Sequence, residues 1–285
     1  VTIVVVGDAG LDVIAVPDGK IVYGHDTRAR IRITTGGAGA NTATWLASLG
    51  ADVVLVSRIG DDAAGRQVRT ELTAAGVRCV FGVEPDVPTC CVVVILDEHG
   101  QRTMLPDHGA GARLRPDDLS PRLLASAQHL HLSGYILLNG ESRDAGLAML
   151  AAAQEAGLTT SVDPQSARLI NDPTAFLAWI RGVDLLLPNE DELAVLSTEH
   201  DPLDFVTAIA VTAGAAGASW IDRGATVSVP AEDVSCVDST GAGDAFNAGL
   251  LTAWLAGEPP AEALRAGVRT ATKAVSTVGA TTNLR

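Results

Sequence analysis

The chain has 285 residues, 47% of them hydrophobic and only 4% aromatic, which suits one large α/β domain with an appendage and a core of small aliphatic side chains. A net charge of −14, with two lysines against eighteen arginines, argues against nucleic acid as a partner, because binding a phosphate backbone needs clustered cations. No apolar stretch reaches the ~18 residues of a membrane helix, and Cys79, Cys90, Cys91 and Cys236 form no Cys-x-x-Cys pair, so they read as free thiols in a reducing, cytoplasmic setting.

Val1–Val6 is a β-branched run ending at Gly7, a buried strand and not a leader. Lys20–Thr35 alternates weakly, with Ile21, Val22, Ile31 and Ile33, and predicts short strands. Asn41–Leu49 reads as a helix stopped by Gly50, Val53–Val56 as a strand, and Arg66–Ala75 as a helix ended by Gly76. Thr89–Leu96, a turn at Asp97–Gly100 and a return at Gln101–Leu105 make a hairpin. From His129 onward, strand-like segments at His129–Leu132, Thr159–Val162, Asp184–Leu187, Ala208–Thr212 and Ala218–Ile221 mostly alternate with helical ones such as Ser142–Ala156 and Glu190–Leu196. Two helices, Ala242–Ala256 and Ala261–Val278, close the chain. Such alternation predicts a three-layer α/β/α sandwich on a mostly parallel sheet. The expectation is a single domain over residues 1–285, with a small β-sheet lid inserted at about 12–35 and 89–105.

The strongest chemical signal is Asp238-Ser-Thr-Gly-Ala-Gly-Asp244, followed by Ala-Phe-Asn-Ala-Gly249. Gly241, Ala242 and Gly243 put backbone N–H groups at a helix N-terminus with little bulk in front of them, and such an end holds anions. Asp244, in the first turn, is placed to accept a proton; an ordinary helix cap is the competing reading. The second signal is Gly36-Gly37-Ala38-Gly39-Ala40-Asn41, where glycines admit a ligand and Asn41 either caps the helix or bonds ligand hydroxyls. The dinucleotide fingerprint fails, since Thr42 stands where its last glycine belongs, and no GxxxxGK[ST] loop occurs.

Together these loops resemble the two signature motifs of the ribokinase-like (PfkB) carbohydrate kinases. The resemblance continues through Gly7–Asp12, through Arg58-Ile-Gly-Asp-Asp62 with Gly65, through Asn189-Glu-Asp-Glu192, and through Val211-Thr-Ala-Gly214 with Gly217. It implies ATP-dependent phosphorylation of a hydroxyl on a small sugar, sugar acid or nucleoside, with Asp244 as base and the backbone of Gly241, Ala242 and Gly243 as anion hole. It also implies Asp12, Gly37, Asn41 and Arg102 on the acceptor, and Asn189, Glu192, Thr212, Gly214 and Gly217 around the nucleotide. Glu192 would support Mg²⁺ through water, and Asp238 and Thr240 are candidates for a monovalent cation such as K⁺. Ribokinase itself carries Asn and Lys where Gly10 and Ala38 stand, and its acceptor-side Glu is replaced near Ser133-Gly134, so ribose itself is not implied.

A pure sugar-binding regulator of this fold and an NAD-dependent oxidoreductase are the alternatives. His129 and His131 share one strand face, a candidate metal pair without a third ligand, and read better as structural. Val92, Val94 and Leu96 form one apolar alternation of the lid, which in a lone subunit would be exposed. A homodimer through the lid is therefore expected.

Overall fold

The computed structural model describes residues 1–96, 102–276 and 279–281. Its strands are β1 (Thr2–Val6), β2 (Gly10–Pro17), β3 (Ala29–Gly36), β4 (Asp52–Gly60), β5 (Arg78–Glu84), β6 (Cys90–Leu96), β7 (Arg102–Asp107), β8 (His129–Ser133), β9 (Thr159–Asp163), β10 (Leu185–Leu186), β11 (Ala208–Thr212), β12 (Ala218–Asp222) and β13 (Thr226–Val229). The helices are α1 (Ala38–Ser48), α2 (Ala63–Ala74), α3 (Pro121–Ser126), α4 (Tyr135–Leu138), α5 (Arg143–Glu155), α6 (Pro173–Trp179), α7 (Glu190–Leu196), α8 (Ala242–Leu255) and α9 (Pro260–Val275).

The main sheet runs β13-β12-β11-β10-β9-β8-β1-β4-β5. Its strands are parallel from β11 to β5, and β12 and β13 close one edge antiparallel. Alternate side chains explain the layers. Ile3, Val5 and Leu55 face Trp45 and Leu46 of α1 and Phe246 and Leu250 of α8. Val4, Val6 and Val56 face Met149 of α5, Phe176 of α6 and Leu196 of α7. A sheet buried on both faces needs continuous apolar strands, which β1 and β4 supply.

Chain order around β1 positions the site. The chain leaves β1 toward β4 and β5, then returns to β8 on its other side. Open α/β sheets bind ligands in the crevice beyond the carboxyl ends at such a reversal. α1 can sit over that end because Gly7 and Gly39 meet face to face: a Cβ on Gly39 would lie 2.6 Å from the Cα of Gly7.

The small sheet runs β3-β2-β6-β7. Its register puts Asp12, Ile14, Val16, Arg30, Arg32, Thr34, Val92, Val94, Leu96, Arg102 and Met104 on one face. Val94 and Leu96 line a cavity against the main body, so the expected outward alternation is corrected: by register Val13, Ala15, Ile31, Ile33, Val93, Ile95 and Leu105 alternate to the other face, with Ile31 and Ile33 also bordering that cavity. Ile31, Ile33 and Leu105 are more than half exposed there.

Other expectations need correction. Ile21 and Val22 lie in an exposed loop outside any strand, and only Ala29–Gly36 of the Lys20–Thr35 segment extends. β5 and β13 carry glycine or few apolar residues and were not expected as strands. The 184–187 strand shrinks to Leu185–Leu186. α1 begins at Ala38, three residues before Asn41, and α9 stops at Val275. The turn expected at Asp97–Gly100, with Gln101, and Val278 at the expected helix end lie outside the described residues. Asp62 of the Gly-Asp-Asp segment is structural: it accepts Gly65 N at 2.7 Å to cap α2 and holds Thr89 at the start of β6 through both oxygens.

His129 and His131, on β8 of the main sheet, are fully buried and bridged by the Ser161 hydroxyl at 2.8 Å from each ring. His129 also reaches Thr159 Oγ1 at 2.9 Å and packs edge-on against Trp254. Burial keeps both neutral, pushing His129 down to about 3 and His131 to about 4. No cluster of three metal-ligating side chains occurs among the described residues. All four cysteines are free.

Candidate active site

The carboxyl ends of β1, β8, β9 and β11 and the start of α7 converge on the N-terminus of α8. Gly241, in left-handed conformation at φ 72°, caps that helix, and Asp244 lies in its first turn. Among the described residues the N–H groups of Gly241, Gly243 and Asp244 find no acceptor, whereas Ala242 N donates to Ser239 O at 3.3 Å. Free donors at a helix start attract anions.

Asp244 is buried, and its Oδ2 accepts Asn41 Nδ2 at 3.0 Å. Thr42 Oγ1 lies 3.5 Å from its other oxygen. Asn41 therefore caps nothing. The N-terminus of α1 is capped instead by Asp8, which accepts Ala38 N at 3.3 Å and Gly39 N at 3.2 Å. Burial pushes the Asp244 carboxyl up to about 7, with help from the Asp8 charge, while donation from Asn41 and Thr42 works against the rise. Burial followed by the same Asp8 charge pushes Asp12 up to about 6. Asp8 thus stands within electrostatic reach of both. Sequence reasoning missed it, although an Asp right after a strand of β-branched residues was the available signal.

One cavity of about 450 Å³ is lined by Asp244, Gly241, Ala242, Gly243, Asn189, Glu192, Thr212 and Gly214. These are most of the residues expected around the phosphates. Asp163, Gln165 and Asn247 join them, outside the site residues expected from the sequence, where Asp163 reads as a strand-end turn residue. Asp244 and Asn247 share one face of α8 at i, i+3 spacing. Asn247 Nδ2 donates to Asp163 Oδ2 at 2.6 Å. Gln165, whose N–H donates to Asp163 Oδ1 at 2.8 Å, is the one non-glycine residue at positive φ among the described residues. Asn189 and Glu192 form a reciprocal capping box: Asn189 Oδ1 accepts Glu192 N and Glu192 Oε2 accepts Asn189 N, each at 2.9 Å. Burial raises both Glu192 and Asp163, and Asp163 is raised further by the charges of Glu192 and Asp244. Glu190 and Asp191 also line this cavity, and no basic side chain among the described residues does.

A second cavity, of about 720 Å³, lies under the small sheet and is lined by Asp12, Arg102, Asp238 and Thr240 among others. Arg102 is ion-paired to Asp238, tying β7 to the loop before α8. Asp238 also accepts Thr240 N at 2.9 Å, Thr240 Oγ1 at 2.6 Å and Gly279 N at 2.9 Å. Burial opposes its ionised form, but these donors and Arg102 hold its carboxyl below the usual range. Its two oxygens are thus engaged by Arg102, Thr240 and Gly279. Gly37, at φ 100°, and Asn41 line neither cavity. Nor does Gly217, whose Cα faces the backbone beside Val229 so closely that a Cβ would lie 2.1 Å from its carbonyl oxygen.

The pfkB family carbohydrate kinase profile matches residues 2–285. This chain belongs to the PfkB family of carbohydrate kinases. A fructokinase of Klebsiella pneumoniae is 35% identical over 264 residues, 87% of this chain and 82% of that protein. An ATP-dependent ribose-1-phosphate kinase of Halopiger xanaduensis is 34% identical over 230 residues, 79% of this chain and 74% of that one. The fold matches a putative ribokinase II from E. coli, solved in complex with ATP and Mg²⁺, with TM-score 0.89 at 22% identity, covering 100% of this PfkB chain and 96% of that one.

Proposed function

We propose that this PfkB kinase transfers the γ-phosphoryl group of ATP to a hydroxyl of a small sugar, sugar acid or nucleoside, with Asp244 as the base. The observation that carries the reading is a buried carboxyl, pushed up to about 7, in the first turn of a helix whose leading N–H groups are free. A base poised near neutrality can accept the hydroxyl proton. The free N–H groups of Gly241 and Gly243 meet the charge on the phosphoryl group in flight, and phosphoryl transfer is mainly positioning and charge stabilisation.

The smaller cavity suits the nucleotide phosphates, and its chemistry implies a metal. Five carboxylates line it, Asp163, Glu190, Asp191, Glu192 and Asp244, without one lysine or arginine among the described residues. A triphosphate would be repelled unless it arrived with cations. Mg²⁺ fits here, and Glu192 and Asp163 would hold it through its waters, since Mg²⁺ keeps much of its hydration shell. When bound it neutralises phosphate charge. Thr212 and Gly214 border the nucleotide, whereas Gly217 supports their loop from behind.

The larger cavity suits the acceptor, with Asp12 accepting its hydroxyls and Arg102 farther along the same sheet face. Asn41 and Gly37 act from beneath, Asn41 through Asp244. A K⁺ ion at Asp238 and Thr240 would require Arg102 to leave. The exposed apolar face of Ile31, Ile33 and Leu105 supports a homodimer through the small sheet; light scattering at micromolar protein giving a monomer would refute it. The relatives' names span fructose and ribose 1-phosphate, so the acceptor is found by ADP release across sugars, sugar acids, sugar phosphates and nucleosides. Reduction of NAD without ATP turnover would instead favour an oxidoreductase, and acceptor binding without ADP release a regulator.

A further inference from the structure

We propose that Arg30 and Arg32 form an anion subsite, so that the acceptor is a sugar carrying a phosphate or carboxylate remote from the hydroxyl that reacts. The inference rests on the kinase reading above and names the acceptor class for the larger cavity.

Arg30 and Arg32 alternate with Ile31 and Ile33 on β3, so both leave the same face of the small sheet. That face is the one carrying Asp12. Thr34 pairs with Asp12, Arg32 with Ile14 and Arg30 with Val16. All five of Asp12, Ile14, Val16, Arg30 and Arg32 line the cavity of about 720 Å³. With a rise of ~3.3 Å per residue, Arg32 starts ~7 Å and Arg30 ~13 Å along the strand from the Asp12 row. An extended sugar phosphate of five or six carbons covers the distance from the Asp12 row to the Arg32 row, with Arg30 one step beyond. Its hydroxyl end then lies toward Asp12 and its other end between two guanidinium groups.

Charge pairing along the cavity singles these two out. Arg102 is matched by Asp238. Glu71 accepts Thr35 Oγ1 at 2.7 Å and Gln67 Nε2 at 3.0 Å. Arg30 and Arg32 make no hydrogen bond or ion pair with the described residues. Paired arginine forks bind phosphate and carboxylate groups through several charge-assisted hydrogen bonds. A competing explanation exists: β3 is an edge strand, and charged residues protect edges against pairing with other chains. That role does not need the charges to line the cavity shared with Asp12.

The test compares ribose, ribose 1-phosphate, ribose 5-phosphate, ribonate, fructose, fructose 1-phosphate, fructose 6-phosphate and gluconate as acceptors for the full chain. At least one anionic member should exceed its neutral parent in kcat/KM. Phosphates ahead of acids, or the reverse, identifies which anion is read. In Arg30→Gln, Arg32→Gln and the double variant, that preference should fall by ~10-fold or more, through the acceptor KM, while the ATP KM holds. A neutral sugar as best acceptor, with its kcat/KM equal in the variants, overturns the subsite and leaves the kinase reading standing. Self-association of the variants with unchanged acceptor preference assigns the arginines to edge protection and also overturns it. If no member releases ADP, thermal shift decides: stabilisation by the sugar phosphates that is lost in the double variant supports the subsite, and equal shifts or none refute it.

Discussion

Asn41 Nδ2 lies 3.0 Å from Asp244 Oδ2, joining residues 203 positions apart across the start of two helices. An amide that donates to a carboxylate favours its ionised form. Asn41→Leu, which fills the space without the donor, should raise the Asp244 carboxyl further above about 7. We expect kcat/KM at pH 7 to fall ~10-fold and to recover toward pH 9, because a base protonated more tightly is recovered at higher pH. A pH–rate profile that loses activity without moving its acidic limb would leave Asn41 a packing role only.

Wild-type kcat/KM should climb with pH through about 7 as Asp244 ionises. Asp244→Asn keeps the shape and the contact to Asn41 but removes the proton acceptor, so kcat should drop by at least ~10², with nucleotide binding retained. The remaining activity should lose the limb near pH 7. Near-normal turnover in folded protein would take Asp244 out of the mechanism.

Gly243 and Gly241 separate function from fold. A Cβ on Gly243 meets nothing within 4 Å, and the residue lines the smaller cavity. Gly243→Val should therefore fold with nearly unchanged Tm and lose phosphoryl transfer, because the branched side chain covers the free donors. Gly241 sits at φ 72° with Ala280 against it, so Gly241→Val should lower Tm as well. Thermal melts and ADP release on both variants check the contrast; an active Gly243→Val enzyme would move the anion site elsewhere.

Asp12→Ala should raise the acceptor KM by ~10-fold or more while the ATP KM changes little, since Asp12 and the phosphate-side residues line different cavities. Both constants and the melting temperature should be measured together. Equal rises in the two constants, with a lower Tm, would reduce Asp12 to a structural role.

Much of this was legible in the sequence because strong local signals carried it. The β-branched run of β1, the Gly-Ala-Gly-Asp helix start and the Asn-x-x-Glu box each declare themselves within a few residues. What was not legible depends on distant chain segments. Asp8 directly follows the β1 run, which marks it as a strand-end Asp, but the helix it caps lies thirty residues away and nothing local names that partner. Asp163 is assigned by Asn247, and the inward alternation of β6 is decided by what the small sheet covers. β5 was missed because Arg78, Gly82 and Glu84 break its apolar pattern, although its seven residues pair in register with β4.

The two imidazoles bridged by Ser161 set an acid limit on the molecule, and the site carboxyls act as their counterweight. An unfolded chain would protonate His129 and His131 near pH 6.5, while the folded chain resists until about 3 and about 4. Stability is therefore lost as pH falls through that interval, roughly 1.4 kcal/mol per pH unit for each ring. Asp244 has the opposite sign. Its folded carboxyl keeps its proton up to about 7, whereas the unfolded one releases it from 3.8 upward, so acidification over the same interval strengthens the fold. Asp244→Asn removes that opposition, and the variant should unfold more steeply on acidification below pH 6.5 than the wild type. Asp244 thus flattens the loss of stability on acidification between about pH 6.5 and 4, because the cost of burying its charge disappears as it takes up its proton.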